Sequence, residues 1–169
     1  METLTATDTT LEIVGSPARR SELLQLVTFG LGNENYAVNI LKVQEINRTK
    51  EITRVPNAPS YEEGVINLRG RVMPIINLRK IFGLPEKEND TQTRIMIMDI
   101  EGITIGLVVD SVSEVLRIPA GIIEGTPPMA SDINTEFITG IAKLEDRLIV
   151  LLDVDRLLAG KSEAVLMIP

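Results

Sequence analysis

The chain contains no cysteine, no histidine and no tryptophan. Without cysteine there is no disulfide framework, no thiol nucleophile and no thiolate-bound metal. Without histidine it lacks the commonest general base and the commonest metal ligand. Its only aromatic residues are Phe29, Phe82, Phe137, Tyr36 and Tyr61, too few to build a stacking platform for single-stranded nucleic acid. Positive charge is also short: a net charge of −7 opposes binding to phosphate backbones. No apolar run approaches the ~20 residues of a membrane span. The first residues, with Glu2 and Asp8 and no apolar segment, do not read as a signal peptide. The expectation is a cytoplasmic protein with no cofactor, no nucleic-acid ligand and no direct membrane insertion.

What the chain does have is a repetition. Residues 64–82, GVINLRGRVMPIINLRKIF, align with 140–158, GIAKLEDRLIVLLDVDRLL. Gly64 matches Gly140, Leu68 matches Leu144 and Arg71 matches Arg147. Apolar residues correspond in Val65/Ile141, Val72/Leu148, Ile75/Leu151, Ile76/Leu152, Leu78/Val154, Ile81/Leu157 and Phe82/Leu158. YAVNILKVQEI (36–46) aligns in turn with IGLVVDSVSEV (105–115), sharing Val43/Val112 and Glu45/Glu114. A doubled β unit gives two similar half-structures, and places where the halves differ in chemistry mark a task that one half has taken on.

At 169 residues the chain makes one domain or two small ones. A chain of this size buries about 70% of its unfolded surface and folds without a disulfide or metal. Residues 1–20 are polar and patternless and read as a disordered tail, and 160–169 form a second, short tail ending in Val165–Ile168. Between them, short β-prone runs alternate with turn signals. Strands are expected at 24–29, 36–40, 43–48, 52–55, 65–68, 72–77, 94–100, 103–109, 112–118, 137–144 and 148–152. Ser60–Glu63 reads as a turn or helical bend. Pro74 donates nothing to a ladder, which makes its strand an edge or a bulged one. A helical turn is expected over 78–82, and Asp153 suits the cap of a second over 154–159. Spacing of this kind suggests small barrels, and the doubling suggests two of them sharing a core.

Most motifs dissolve on inspection. Gly30-x-Gly32-x-x-Asn35 imitates a dinucleotide fingerprint but opens no helix, so it is a hairpin turn. An acid protease built from two halves needs a carboxylate in each, yet Asp110 has Leu41 as its counterpart. Asp153 and Asp155 are two apart, but a helix cap with a solvated face accounts for them better than a cation site. Asn67-Leu68-Arg69-Gly70 stands out, because the other half reads Lys143-Leu144-Glu145-Asp146. Arg69 thus sits where its counterpart is acidic, while Glu45 and Glu114 are acids in both halves. On this reading only the first half pairs a turn arginine with a strand glutamate. An exposed ion pair contributes little stability. A guanidinium fork held ready for a partner's carboxylate is the better use. Val43, Val112 and Val115 are either core or part of an apolar partner groove.

These segments together resemble the CheW family of bacterial chemotaxis coupling proteins. The resemblance rests on Tyr36-Ala37-Val38 with Val43-Gln44-Glu45-Ile46, on Gly64–Gly70, on Pro74-Ile75-Ile76-Asn77-Leu78-Arg79 and on Gly106–Asp110. It covers roughly residues 22–159. It implies an all-β fold of two SH3-like five-stranded β-barrels sharing a hydrophobic core, within a CheW-like domain at 21–159. The first barrel is expected at roughly 28–90, and the second at 94–159 plus the N-terminal strand. It also implies a non-catalytic adaptor, a monomer when free. Its partners would be the regulatory domain of the histidine kinase CheA and the cytoplasmic tips of chemoreceptors. The same fold could serve another kinase pathway, such as pilus-driven motility. By position, Glu45 and Arg69 match the family's surface salt bridge. Val43, Gly64 and Asn67 fall in its first-barrel partner region, and Gly106, Val112 and Val115 match positions linked to receptor coupling. The N-terminal tail and the Pro127-Pro128 loop have no counterpart in the resemblance, and no receiver domain of the CheV kind is present.

Overall fold

The computed structural model describes residues 22–125 and 137–158; both expected tails and the Pro127-Pro128 loop lie outside the described residues. In chain order the strands are β1 (Leu23–Leu31), β2 (Glu34–Asn39), β3 (Val43–Arg48), β4 (Glu62–Leu68) and β5 (Arg71–Asn77). After a helical turn α1 (Leu78–Ile81) come β6 (Arg94–Ile100), β7 (Ile103–Val109), β8 (Ser111–Pro119) and the two-residue β9 (Ile123–Glu124). β10 (Ile138–Lys143), β11 (Leu148–Leu152) and a second helical turn α2 (Val154–Leu157) complete the order. Asn77 and Asp153 cap the two helical turns, accepting from the backbone N–H of Lys80 and Arg156 respectively. The Asp153 cap is the one the sequence predicts.

The strands form two sheets. One runs β8-β1-β2-β11-β10-β9 and the other β3-β6-β7-β5-β4. The doubling is visible in the ladders: β2 runs parallel to β11 as β7 runs parallel to β5, and every other pairing is antiparallel. The all-β, two-unit fold class read from the sequence holds, with the short β9 as a sixth strand on one side.

The sheets depart in part from the expected spans of 28–90 and 94–159 plus the N-terminal strand: β1 does pair in the second unit, but β2 goes with it and β6 and β7 join the first. Each takes its central hairpin from the other half of the chain: β6 and β7 lie among β3–β5, and β1 and β2 among β8–β11. The chain crosses between sheets through a 3₁₀ turn at Ile40–Lys42 and again through Asp110. The physical reason lies in β6, whose Ile95–Met98 are buried on both faces. Ile95 and Ile97 enter one sheet's own core, with Ile66, Leu68, Met73 and Ile75. Met96, Met98 and Ile100 face a joint core with Val27, Phe29, Leu31 and Val38 of the other sheet. A strand apolar on both faces is stable only between two apolar layers. The other sheet has its own core of Leu26, Ala37, Ile118, Ala142, Ile149 and Leu151. Four of the five aromatic residues stack in series at the joint core, Phe29–Tyr36–Phe82–Phe137, with centroids 5.9, 5.4 and 5.5 Å apart.

Three local expectations change. Ile52–Val55 is not a strand but an extended strap with one bridge, Thr53 to Val65. Glu62 and Glu63 belong to β4 rather than to a bend. Strand β5, with Pro74, is interior rather than an edge. Its parallel ladder to β7 covers only Ile75–Asn77, so at Pro74 itself β4 is the sole neighbour.

Candidate functional site

The β4–β5 hairpin closes Leu68 against Arg71, with Arg69 and Gly70 both at positive φ, 54° and 85°. That is the two-residue turn whose twist matches the strands, and its first position favours Asn, Asp or Gly, so an arginine there is uncommon. Asn67 holds the turn: its Oδ1 accepts from Gly70 N–H at 2.9 Å. Strand β3 is the outer strand next to β6, so Glu45 projects from a sheet edge. Arg69 donates to Glu45 Oε2, and Asn47 Nδ2 donates to Glu45 Oε1 at 3.1 Å. Those two hydrogen bonds, the arginine's first, hold the Glu45 carboxyl below its usual range. The Arg69 side chain remains 69% exposed while Glu45 is 31% exposed. The fork is oriented by one carboxylate and still open to another.

The sequence reading denied such a pair to the second half, and here the structure overturns it. Arg147, at the β10–β11 connection, donates to Glu114 of β8. Its counterpart in the alignment, Arg71, instead bonds Thr104 Oγ1 at 2.8 Å. The halves therefore build the same ion pair from different positions. In the first half the arginine stands in the turn. In the second it follows the turn, where Leu144 N–H bonds the Arg147 carbonyl at 2.9 Å. The aligned arginines and glutamates were signal enough, had the turn not been taken as the only possible donor. Exposed apolar residues also recur at matched positions, Ile46 with Val115 and Val72 with Leu148.

The remaining predicted residues divide by burial. Val115 is 52% exposed on β8, the edge strand of the six-stranded sheet. Val43 and Val112 are half-buried and pack on the joint core. Gly64 and Gly106 are buried and present no surface. A Cβ on Gly64 would lie 2.2 Å from the Thr53 carbonyl oxygen, and one on Gly106 would lie 2.6 Å from Ile75 Cδ1. These glycines permit close packing rather than contact with a partner. Gly140, matched to Gly64, does the same against Ile123.

A cluster absent from the sequence reading ties the sheets together. Arg79 of α1 grips Asp110 with two hydrogen bonds, at 2.9 and 2.8 Å. Asp110 also accepts from Gly32 N–H in the β1–β2 turn at 2.8 Å. The guanidinium first, with the Gly32 N–H adding to it, holds Asp110 below its usual range. The one acid that an acid-protease reading needed is thus committed to structure. Asp155 likewise pairs with Lys42 at 2.8 Å. Among the described residues there is no group of acids placed to hold a metal ion.

A family model described as the CheW-like domain matches residues 25–162. The chain belongs to the CheW-like family. It is 38% identical over 141 residues to the chemotaxis protein CheW of Klebsiella aerogenes, covering 83% of this chain and 85% of that protein. To CheW of Helicobacter pylori it is 39% identical over 137 residues, covering 81% and 82%. The fold matches the crystal structure of the scaffolding protein TtCheW from Thermoanaerobacter tengcongensis with a TM-score of 0.73 and 39% identity, covering 79% of this chain and 91% of that one. The matched span contains both ion pairs and every predicted CheW site residue.

Proposed function

We propose that this protein is the coupling adaptor of a chemotaxis-type array, joining the regulatory domain of a CheA-type histidine kinase to the cytoplasmic tips of chemoreceptors without catalysing a reaction. The observation that carries the reading is the exposed Glu45–Arg69 pair, set beside the exposed Ile46 and Val72 in a chain of the CheW-like family. A charged fork beside apolar contacts is what a specific protein interface uses. Val43, Glu45, Asn67 and Arg69 serve the first face, with Gly64 acting from beneath it by letting the 52–55 strap sit close. Val112 and Val115, with Gly106 as packing support, serve the second. Chemistry points the same way, since the chain has no histidine or cysteine and Asp110 is engaged by Arg79. The protein would be cytoplasmic, monomeric when free, and recruited to receptor arrays.

Calorimetric titration with the regulatory domain of its host's CheA tests this, wild type beside Arg69→Ala. Micromolar or tighter binding by the wild type, lost in the variant, is expected. Absence of binding by folded wild type overturns the chemotaxis reading; binding to the kinase of a second motility pathway would then place the adaptor there.

A further inference from the structure

Glu62 is the least comfortable side chain in the described molecule. It is only 7% exposed, and neither carboxylate oxygen has a hydrogen-bond partner. A buried carboxylate with no partner is costly, and natural proteins rarely carry one without a use. Burial pushes its carboxyl above the usual range. Glu63 beside it is engaged through Oε2: Asn77 Nδ2 donates to it at 2.8 Å and Lys80 lies 3.2 Å away.

Glu62 lines a cavity of about 340 Å³ between β4, α1 and the strap over 54–60. The strap supplies apolar walls in Val55, Pro56, Ala58 and Pro59, with polar Asn57 and Ser60 among them. Its attachments within the segment are slight, Ala58 N–H to the Val55 carbonyl at 3.4 Å and Glu62 N–H to the Pro59 carbonyl at 3.0 Å. Asn57 is held at φ 64°, a left-handed conformation that costs a non-glycine residue energy. Two cations also line the space, Lys80, bound to Glu63, and the exposed Arg54.

We propose that this cavity is a binding site for a protonated amine or guanidinium group, with Glu62 as its buried counter-ion and the 54–60 strap as the flap that admits it. Apolar walls suit the aliphatic stem of such a cation, and the unpartnered carboxylate suits its head. Both oxygens are closed to solvent, so entry requires the strap to lift. The charged groups that line the same space are Arg54, Glu63 and Lys80, with Tyr61 adjacent in sequence. Glu63 and Lys80 neutralise each other, which leaves the Glu62 charge to the ligand once its proton is gone. A bound cation therefore favours the ionised carboxylate, and its affinity should fall as the pH is lowered into the carboxyl range.

The probes are methylguanidinium and n-butylammonium, titrated into the full chain and followed by amide NMR, with n-butanol as the uncharged control. Saturable shifts confined to residues 52–64 and α1 are expected, weakening as the pH is lowered into the carboxyl range. Glu62→Gln keeps the shape of the protonated acid and should weaken both cations by about tenfold or more. Glu51→Gln removes an equal charge from an exposed side chain that does not line the cavity and should leave binding unchanged. Equal weakening by both variants, shifts spread over the acidic surface, or no saturation by either cation would overturn the site. A blocked arginine peptide and spermidine distinguish the sources. Tighter binding of the peptide assigns the site to a basic side chain of a protein partner, and tighter binding of spermidine assigns it to a free polyamine. Either result supports the cation site.

Discussion

Arg69 occupies a left-handed turn position that favours Asn, Asp or Gly, and its side chain reaches across to an edge strand. Neither feature is a stability device, since an exposed ion pair contributes little. Arg69→Ala is therefore expected to leave the melting temperature nearly unchanged while abolishing partner binding; a large thermal loss would make the arginine structural. Arg147 is a graded control. Its side chain is 29% exposed against 69% for Arg69, so more of its stem is packed. Arg147→Ala should cost about 1 kcal/mol, read as a lower denaturant midpoint at unchanged slope. If the first pair works as a pair, Arg69→Glu with Glu45→Arg recovers part of the binding. If no binding returns, Arg69 itself touches the partner. Glu62 gives a prediction in pH. Its folded pKa lies above the ordinary 4.5, so the folded state binds the proton more tightly than the unfolded chain. That contribution is complete below pH ~4.5 and is lost as pH rises through the raised value. Between pH 4 and 7 the melting temperature of Glu62→Gln should rise relative to wild type. Parallel curves would mean that the carboxylate finds a partner in solution.

Among the elements, glycine does much of the shaping, and it does so in pairs. Gly64 and Gly140 sit at matched irregularities in β4 and β10, each with a passing segment packed against its Cα, Ile52-Thr53 in one case and Ile123-Glu124 in the other. Gly64 is also at φ 144°, so Gly64→Ala meets both strain and the Thr53 carbonyl, a loss on the order of 3 kcal/mol. Gly106→Ala meets only side-chain ends, Ile75 Cδ1 and Ile95 Cγ2, and should cost about 1–2 kcal/mol. Chemical denaturation ranks the two, and a reversed order would mean that the strap yields more readily than the core. Loss of partner binding in either variant would then be a consequence of altered packing. The sequence was informative about β-runs and turns because period-two patterning and Gly-containing dipeptides are local. It misled where tertiary pairing decides. Ile52–Val55 looks like a strand but finds a single bridge, and Glu62-Glu63 looks like a bend but is drawn into the ladder with Ile76. The Glu45–Arg69 pair was legible because Arg69 stands where its counterpart is acidic, with a glutamate on the strand to receive it. Glu114–Arg147 was not, because its arginine lies two positions beyond the one that alignment singled out.

For the whole molecule, duplication in sequence is not division in space. Each half gives its first hairpin to the sheet of the other, so each sheet is assembled from both halves. The apolar runs at 26–29, broken only by Thr28, and at 95–98 carried part of this information: a strand of a one-sided sheet alternates, whereas these are closed on both faces, with Thr28 satisfied by the Glu114 backbone at 3.0 and 3.2 Å. Which sheet each hairpin joins was not legible, since it depends on crossings as short as Ile40–Lys42 and Asp110. The joint core, the aromatic series and the Arg79–Asp110–Gly32 cluster all span the boundary. Such a molecule should unfold in one step, with calorimetric and van't Hoff enthalpies equal. It should also fail when cut at its natural-looking seam. Separated within the polar loop at 86–93, the first fragment has β3–β5 without the β6–β7 hairpin that covers them, and the second has β8–β11 without β1 and β2. Neither fragment should give a dispersed amide spectrum alone, and an equimolar mixture should regain it, because every missing strand is supplied by the other piece. A first fragment that folds by itself would require β1 and β2 to pack on β3–β5, an arrangement in which Phe29 and Leu31 lose the Met96 and Met98 side of their core.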